Sequence, residues 1–220
     1  MDRSRVAVVI PTLNESNTIK DIVCSVKEFA CPIVVDDGSI DNSGSIALAA
    51  GAIVVTHKKN LGYDQAINSG FSYANSMGFK VVLTLDGDGQ HNPGLIREFI
   101  KVIDDGFDLV LGVRSYQQRL AEYFFAIFTK FRYGIRDPLC GIKAYKIEIY
   151  QHLGHFDSYN SFGTELSFFA IKNGYTFKEL PFSLRRRKDN SRFNQALLTN
   201  VNIMKAMLKS ITRIKVIPKI

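Results

Sequence analysis

Residues 81–90 have the sequence VVLTLDGDGQ, in which an apolar run ends directly in two aspartates one residue apart. Such a run is typical of a buried strand. Ligands of open α/β sheets bind outside the carboxyl ends of the strands, where Asp86 and Asp88 would lie. Mg²⁺ and Mn²⁺ prefer oxygen ligands, and Gln90 offers a third. The stretch therefore predicts a divalent metal site of Asp86, Asp88 and Gln90, with an acidic turn that binds nothing as the alternative.

Two earlier apolar runs end in the same way. Val6–Ile10 is followed by PTLNE at residues 11–15, and Ile33–Val35 by DDGS at residues 36–39. Segments with helical apolar periodicity separate the runs. Continuous apolar strands that alternate with helices imply a mostly parallel sheet covered by helices on both faces. The predicted fold class is therefore α/β with a Rossmann-like sheet, and the polar clusters should converge at one edge of it.

The apolar pattern also gives the approximate bounds of each element. The predicted strands cover residues 6–10, 33–35, 53–55, 81–85, 109–111 and 176–184. The predicted helices cover residues 15–29, 41–50 or 43–50, 63–76, 93–103, 120–131, 162–172 and 194–214. Residues 137–145 are predicted to be rich in turns. No linker separates the two halves, so a single domain over residues 1–220 is expected.

Composition narrows the class of partner and the compartment. The chain has 220 residues and a net charge of +7, which suits an anionic partner such as nucleic acid, a phosphorylated small molecule or an acidic membrane surface. No zinc-finger spacing or RNA-recognition motif is present, so nucleic acid is not expected. Cys24, Cys31 and Cys140 lack metal-ligand spacing, and no run of about 18 apolar residues occurs. We expect a cytoplasmic protein, because the first apolar run ends too early for a signal peptide.

A set of short motifs runs through the chain. They are VIPTLNE at 9–15, VVDDGS at 34–39, NLG at 60–62, DGDGQHNP at 86–93, GVR at 112–114, DPLCG at 137–141, TEL at 164–166 and ELP at 179–181. Together they resemble family 2 glycosyltransferases with the GT-A fold, and among these the polyprenyl-phosphate sugar synthases. The resemblance implies transfer of a sugar from a nucleotide-sugar donor, with inversion at the anomeric carbon and with Mg²⁺ or Mn²⁺ as cofactor.

The resemblance also implies roles for individual residues. Those expected to line the nucleotide-sugar are Pro11, Leu13, Glu15, Val35, Asp37, Asp86, Gly87, Asp88, Gln90 and Arg114. Asp86, Asp88 and Gln90 would hold the metal and the donor diphosphate, and Arg114 falls at the position of the family's arginine after the fifth strand. Residues 1–115 would form the nucleotide-sugar region, residues 116–193 the acceptor region, and residues 194–220 a basic amphipathic helix.

A basic segment near residue 190 aligns with the family's Arg-x-x-Gly-x-Ser-Lys segment, which contacts phosphate. Arg187, Ser191 and Arg192 would therefore bind the acceptor phosphate, with which arginine pairs bidentately. The chain departs from the family here, because Asp189 replaces the glycine and Arg192 the lysine. Asp189 adds a negative charge and removes the backbone freedom of glycine. A solvated charge run, RRRK at 185–188, is the alternative interpretation.

Glu165 is the one candidate general base. A hydroxyl acceptor must lose its proton during attack, whereas a phosphate acceptor is already anionic and needs no base. The implied catalytic set is Asp88, Arg114, Glu165 and Arg187, with a polyprenyl phosphate as the preferred acceptor. Glu165 has two other interpretations, an exposed helix carboxylate and a partner of the arginines. Two other functions stay open: transfer to a hydroxyl of a lipid-linked or cell-surface glycan, and a catalytically silent module that binds nucleotide-sugar or lipid phosphate.

Two apolar stripes at helical spacing are candidates for membrane contact. The first is Leu120, Phe124, Ile127, Phe128 and Phe131. The second is Leu197, Val201, Met204, Leu208 and Ile211, beside Lys205, Lys209 and Arg213. A basic amphipathic helix can lie on anionic lipid, and packing into the core is the alternative for each stripe. The sequence therefore predicts peripheral attachment at the cytoplasmic face of a membrane.

Overall fold

In this computed structural model the described residues are 2–87, 89, 92, 94–115, 119–183 and 196–213, with 3, 196–199 and 211 described by their backbone alone. Within these ranges one sheet of seven strands lies at the centre, in the order β3-β2-β1-β4-β6-β5-β7. The strands are β1 (Val6–Thr12), β2 (Cys31–Asp36), β3 (Ile53–Thr56), β4 (Val81–Thr84), β5 (Leu109–Arg114), β6 (Lys143–Lys146) and β7 (Phe177–Phe182). Neighbouring strands are parallel except where β6 pairs with β4 and with β5.

Helices cover both faces of the sheet. They are α1 (Ile19–Lys27), α2 (Ser43–Ala49), α3 (Tyr63–Ser76), α4 (Leu95–Asp104), α5 (Leu120–Tyr133), α6 (Ile147–Leu153), α7 (Glu165–Lys172) and α8 (Ala196–Arg213). Successive residues of a strand point to opposite faces, so Val8 packs in one apolar cluster with Phe99 of α4, and Val9 in the other with Phe71 of α3. This arrangement confirms the predicted α/β sheet with apolar cores on both sides.

The register of the central strands aligns their carboxyl ends. Thr12 at the end of β1 lies opposite Asp36 at the end of β2, and Val9 lies opposite Thr84 at the end of β4. The loops that follow these strands therefore leave the sheet at the same edge. Within the described residues, the polar clusters predicted to converge at one edge of the sheet do so.

The second half contains two elements that the sequence prediction missed. Residues 137–145 were predicted to be turns, but β6 begins at Lys143, and α6 follows it directly. The charged residues Lys143 and Lys146 interrupt the apolar run by which a buried strand is recognised in a sequence. In the structure Lys143 is buried, and the Nζ of Lys146 is 2.8 Å from Oδ1 of Asp108 on the neighbouring part of the sheet. Both lysines thus find partners distant in sequence.

Two helices begin later than predicted. Helix α1 starts at Ile19 rather than Glu15, and α7 starts at Glu165 rather than Phe162. Thr18 directly before α1 has a non-helical φ of −120°, and Phe162 adopts a left-handed backbone conformation, with φ of 56°, which a right-handed helix cannot include. The predicted bounds at residues 93, 184 and 214 lie outside the described residues.

Candidate functional site

The loops after β1 and β4 are in direct contact. The hydroxyl of Thr18 donates a hydrogen bond of 2.8 Å to the carbonyl oxygen of Gly87. A Cβ added to Gly87 would lie 3.1 Å from the carbonyl oxygen of Pro11 and 3.7 Å from Cγ of Glu15. Three residues predicted to line the donor, Pro11, Glu15 and Gly87, therefore lie side by side at the carboxyl edge of the sheet.

The carboxylate of Asp86 packs onto the backbone of Gly141. A Cβ added to Gly141 would lie 2.0 Å from Oδ2 of Asp86, a distance that no side chain can occupy. The hydroxyl of Thr84 donates to the carbonyl oxygen of Gly141 at 2.6 Å, which fixes this segment against the end of β4. The bare glycine therefore determines where the Asp86 carboxylate lies.

Oxygen donors at the end of β4 suit a hard divalent cation. Asp86 is one such donor, but the other predicted ligands, Asp88 and Gln90, lie outside the described residues. Among the described residues no group of three acidic, histidine or cysteine side chains is close enough to form a metal centre. Asp86 is therefore the one predicted metal ligand that the structure describes, and its carboxylate suits Mg²⁺ or Mn²⁺.

Asp37 organises the loop that precedes α3. Its carboxylate accepts hydrogen bonds of 2.8 Å from the backbone N–H groups of Leu61 and Gly62. Its Oδ1 is also 2.7 Å from Nδ1 of His57, whose Nε2 is 2.9 Å from the hydroxyl of Ser69 on α3. The sequence assigned no role to His57, because nothing local links it to a carboxylate 20 positions earlier. The structure makes it the connection between β2, β3 and α3.

The other residues predicted to line the nucleotide differ in exposure. Val35 is completely buried in the core, so its side chain faces the sheet interior, and Glu15 is buried as well. Pro11 and Leu13 are half-buried at the surface of the loop. The loop itself is held by the backbone N–H of Glu15, which donates to the hydroxyl of Ser43 at 2.8 Å. Pro11 and Leu13 are therefore the members of this group whose side chains reach solvent.

Arg114 forms a bidentate ion pair with Asp137. Its Nε and Nη2 each lie 2.8 Å from one carboxylate oxygen of Asp137, and Nη2 is also 3.1 Å from Oε2 of Glu122. Burial alone would lower the pKa of Arg114, but Asp137 and Glu122 outweigh it and raise the pKa above its usual value. The guanidinium therefore joins the end of β5 to the first turn of α5.

Glu165 is a buried carboxylate with both oxygens bound. It accepts hydrogen bonds from the backbone N–H of Ser158 at 2.5 Å and from the Ser158 hydroxyl at 2.9 Å, and its Oε1 lies 3.0 Å from Nε2 of His155. The interpretation as an exposed helix carboxylate is wrong, because Glu165 is buried at the start of α7. Its described partners are a serine and a histidine, which the sequence did not indicate.

A cluster of buried charges lies beneath this edge of the sheet. Lys143 Nζ donates to the carbonyl oxygen of Gly163 at 2.7 Å, close to the carboxylates of Asp64 and Asp157. Burial lowers the pKa of Lys143 to about 8. Burial and then the charge of Asp157 raise the pKa of Asp64 to about 7, and Oδ1 of Asp64 is buried without a hydrogen-bond partner. No sequence motif indicated this cluster, since its members come from three distant segments.

The predicted acceptor-phosphate residues Arg187, Ser191 and Arg192 lie outside the described residues, as does Asp189. Strand β7, which ends at Phe182, lies beside β5 with Phe182 opposite Arg114. The chain therefore enters the undescribed segment at the same edge of the sheet as Arg114. None of the described helices is both long enough and apolar enough to cross a bilayer.

The family model "Glycosyl transferase family 2" matches residues 7–190. The chain is 31% identical over 230 residues to polyprenol monophosphomannose synthase of Mycolicibacterium smegmatis, an alignment that covers 93% of this chain and 85% of the relative. It is 35% identical over 127 residues to undecaprenyl-phosphate 4-deoxy-4-formamido-L-arabinose transferase of Serratia proteamaculans, covering 52% of this chain but 38% of that protein.

Solved structures share the fold. Glucosyl-3-phosphoglycerate synthase from Mycobacterium tuberculosis in complex with Mn²⁺, uridine diphosphate and phosphoglyceric acid superposes with a TM-score of 0.78. The sequence identity is 19%, and the match covers 96% of this chain and 79% of that one. At this identity the likeness is evidence for the fold alone.

Proposed function

The chain belongs to glycosyl transferase family 2 and is a glycosyltransferase with a GT-A fold, and we propose that it transfers a sugar from a nucleotide-sugar to a polyprenyl phosphate. The proposal treats residues 1–220 as one domain, in which residues 1–115 bind the donor, residues 116–193 bind the acceptor and residues 194–220 form the amphipathic helix. Inversion at the anomeric carbon is implied by the family. The relatives named for polyprenol and undecaprenyl-phosphate substrates support this acceptor class.

The state of Glu165 is the observation that carries the acceptor assignment. A general base needs a free lone pair aimed at the acceptor hydroxyl. Both oxygens of Glu165 instead bind Ser158 and His155, inside the protein. A phosphate nucleophile is ionised at neutral pH and needs no base. The enclosure of Glu165 therefore favours a phosphate over a glycan hydroxyl and makes Glu165 a positioning residue for residues 157–164.

The donor would bind at the carboxyl edge of β1, β2 and β4. Pro11, Leu13, Glu15, Val35, Asp37 and Gly87 are the proposed nucleotide contacts, with Val35 contributing through its backbone. Asp86, Asp88 and Gln90 would hold Mg²⁺ or Mn²⁺, and the cation would neutralise charge on the leaving diphosphate. The structural neighbour that binds Mn²⁺ and uridine diphosphate supports a divalent cation in this fold.

On the acceptor side, Arg187, Ser191 and Arg192 are the proposed phosphate ligands, and Asp88, Arg114 and Arg187 form the proposed catalytic set, with Glu165 as a positioning residue. Arg114 would act from its ion pair with Asp137, which holds the guanidinium in one orientation. The acceptor lipid places the enzyme at a membrane surface, and we propose peripheral attachment at the cytoplasmic face.

Donor turnover is the direct test. Nucleotide-sugars would be screened with undecaprenyl phosphate, with released nucleoside diphosphate and extracted glycolipid as readouts. Asp88→Ala should abolish turnover, and Asp105→Ala, which removes an exposed carboxylate at the end of α4, should not. Full activity in excess chelator would contradict the metal assignment. Donor binding with no turnover on any acceptor would indicate the silent binding module.

The acceptor is tested by two variants with opposite expectations. With a phosphate acceptor, Arg187→Ala should raise the acceptor KM strongly, because a charge-assisted partner is lost. Glu165→Gln should then lower kcat only modestly. With a hydroxyl acceptor, Glu165→Gln should lower kcat by roughly 10²- to 10⁴-fold. A Glu165→Gln enzyme that melts normally and binds donor normally, yet loses a thousandfold in kcat, would overturn the phosphate assignment.

A further inference from the structure

Helix α5 has two apolar faces. Ala121, Phe125 and Ala126 on the inner face are buried, and α5 packs against α7 and α8. The outer face consists of Leu120, Tyr123, Phe124, Ile127 and Phe131, all exposed. Leu120 is 76% exposed, Phe124 58% and Phe131 88%. The core-packing interpretation is therefore wrong for this stripe, except for Phe128, which packs partly against the core. A soluble surface seldom presents so many large apolar side chains on a single helix.

Helix α8 repeats this arrangement beside α5. Its inner face, with Ile203 and Ala206, is buried, while Val201, Met204 and Leu208 are exposed. The two helices pack together, and the hydroxyl of Tyr133 at the end of α5 donates to the carbonyl oxygen of Ser210 on α8 at 3.3 Å. The helix that packs beside α5 therefore has an exposed apolar stripe of its own. Leu197 and Ile211 of the predicted stripe have no described side chains.

The exposed charges on these helices are all positive. Lys130 and Arg132 are exposed in the last turn of α5, and Lys205 and Arg213 are exposed on α8. Lys209, the third predicted basic residue, instead donates to the carbonyl oxygen of Tyr159 at 2.8 Å and so fixes α8 to the acceptor side. The exposed cations would repel one another across a symmetric contact between two copies of the chain, whereas they complement anionic lipid.

Glu122 is the only acidic side chain on the two helices within the part of the chain that the structure describes, and it does not lie on the outer face. Glu122 is 4% exposed and pairs with Arg114 and with Arg119, at 3.1 Å in each case. No aspartate or glutamate occurs in residues 196–213. The surface thus combines exposed aromatic rings with cations and excludes anions, the composition of a helix that lies in the interface of a bilayer.

We infer that the outer face of α5, with the exposed stripe of α8, inserts into the headgroup region of an anionic membrane. The inference rests on the proposed lipid acceptor for its purpose, but its physical basis is the exposed surface alone. Because Glu122 in the first turn of α5 binds Arg114 at the end of β5, insertion brings the catalytic edge of the sheet next to the lipid. A polyprenyl phosphate would then reach the site without leaving the bilayer surface.

The chain contains no tryptophan, so a single introduced tryptophan reports its own surroundings. Phe124→Trp and Phe131→Trp would be mixed with vesicles of phosphatidylcholine and phosphatidylglycerol that carry brominated acyl chains. Both emissions should shift to shorter wavelength and be quenched at least twofold. Ile40→Trp is the matched control, since Ile40 is an exposed apolar residue, 91% accessible, in the turn before α2. Its emission should not change. Quenching of Ile40→Trp with none at Phe131→Trp would overturn the inference.

Vesicle flotation of Phe124→Ser/Phe131→Ser should show binding reduced at least tenfold, while Leu48→Ser on α2 binds normally. Unchanged binding of the double variant would contradict the inference. So would sedimentation showing that the wild-type chain dimerises through this face, with the dimer lost in the double variant. Turnover with a short, water-soluble prenyl phosphate separates this inference from the proposed function. The double variant should keep that activity. Quenching without any turnover would refute only the acceptor assignment.

Discussion

The carboxylate of Asp37, after β2, is bound mainly by backbone N–H groups, whereas those of Asp137 and Glu179 in the second half of the chain pair with arginine side chains. Asp37 accepts from Leu61 and Gly62. In the second half, Asp137 pairs with Arg114 and Glu179 with Arg136. Backbone donors fix the shape of a loop, while side-chain pairs join separate elements. At these residues the proposed donor region is organised by loop backbone and the proposed acceptor region by ionic connections, and the two should respond differently to mutation.

The largest expected effect comes from the Arg114 pair. Arg114→Ala leaves Asp137 buried without its guanidinium partner and removes one of the partners of Glu122, and breaking a buried pair typically costs about 3–5 kcal/mol. Urea denaturation should therefore show a midpoint far below that of the wild type. Arg114→Lys should recover part of the loss but not the bidentate contact. A loss below about 1 kcal/mol for Arg114→Ala would mean that the acceptor side does not depend on its ionic connections.

A smaller effect is expected on the donor side from Asp37→Asn. The amide turns one oxygen acceptor into a donor, so one of the N–H groups of Leu61, Gly62 or His57 loses its partner. Each buried donor left unsatisfied costs roughly 1–3 kcal/mol. Hydrogen exchange at the Leu61 and Gly62 amides should become faster, and the increase should exceed the one expected from the loss of global stability alone. Asp105→Asn on the surface is the control. Uniform acceleration across the sheet would argue against a local role.

The buried cluster predicts a particular pH dependence. The pKa of Asp64 is raised from 3.8 to about 7, so between these values the folded protein holds a proton that the unfolded chain has lost, and stability falls as pH rises. The pKa of Lys143 is lowered from 10.5 to about 8, so stability rises again above pH 8. Asp64→Asn should remove the first slope and gain about 1–2 kcal/mol over the wild type between pH 5 and pH 7.5. Parallel stability profiles for the two proteins would contradict the assignment.

The smallest effect is expected at Arg136. Its Nε lies 2.5 Å from Glu179, but half of the Arg136 side chain is exposed to solvent. Exposed ion pairs contribute about 0–1 kcal/mol. The loss of unfolding free energy in Arg136→Ala should therefore be several-fold smaller than the loss in Arg114→Ala. The same denaturation series measures both. Equal losses would show that burial does not distinguish the two pairs.

Local patterns were sufficient to locate the strands of the first half, although they did not indicate the role of His57. The apolar runs that end in Asp36 and Asp86 identify strands, sheet edge and candidate site from contiguous residues, and α3 has the predicted bounds. The second half depends on contacts across long separations. His155 and Ser158 lie near Glu165 in sequence, yet only the left-handed turn at Asn160 and Phe162 aims them at it. Lys143 resembles a turn residue until its buried partner Gly163 is known. Contacts of this kind produce no periodic pattern of apolar and polar residues in the sequence.

Strand β6 has a consequence for synthesis on the ribosome. It separates β4 from β5 in the sheet, yet Lys143 follows its partner Thr84 by 59 residues. The ribosome adds about 5–20 residues per second, so one edge of β4 stays unpaired for roughly 3–12 s. An open edge of this kind is a site for pairing with another chain. Asp86 is synthesised at the start of that delay and Gly141, against which it packs, at its end. The proposed site is therefore completed only when the nascent chain has closed the sheet.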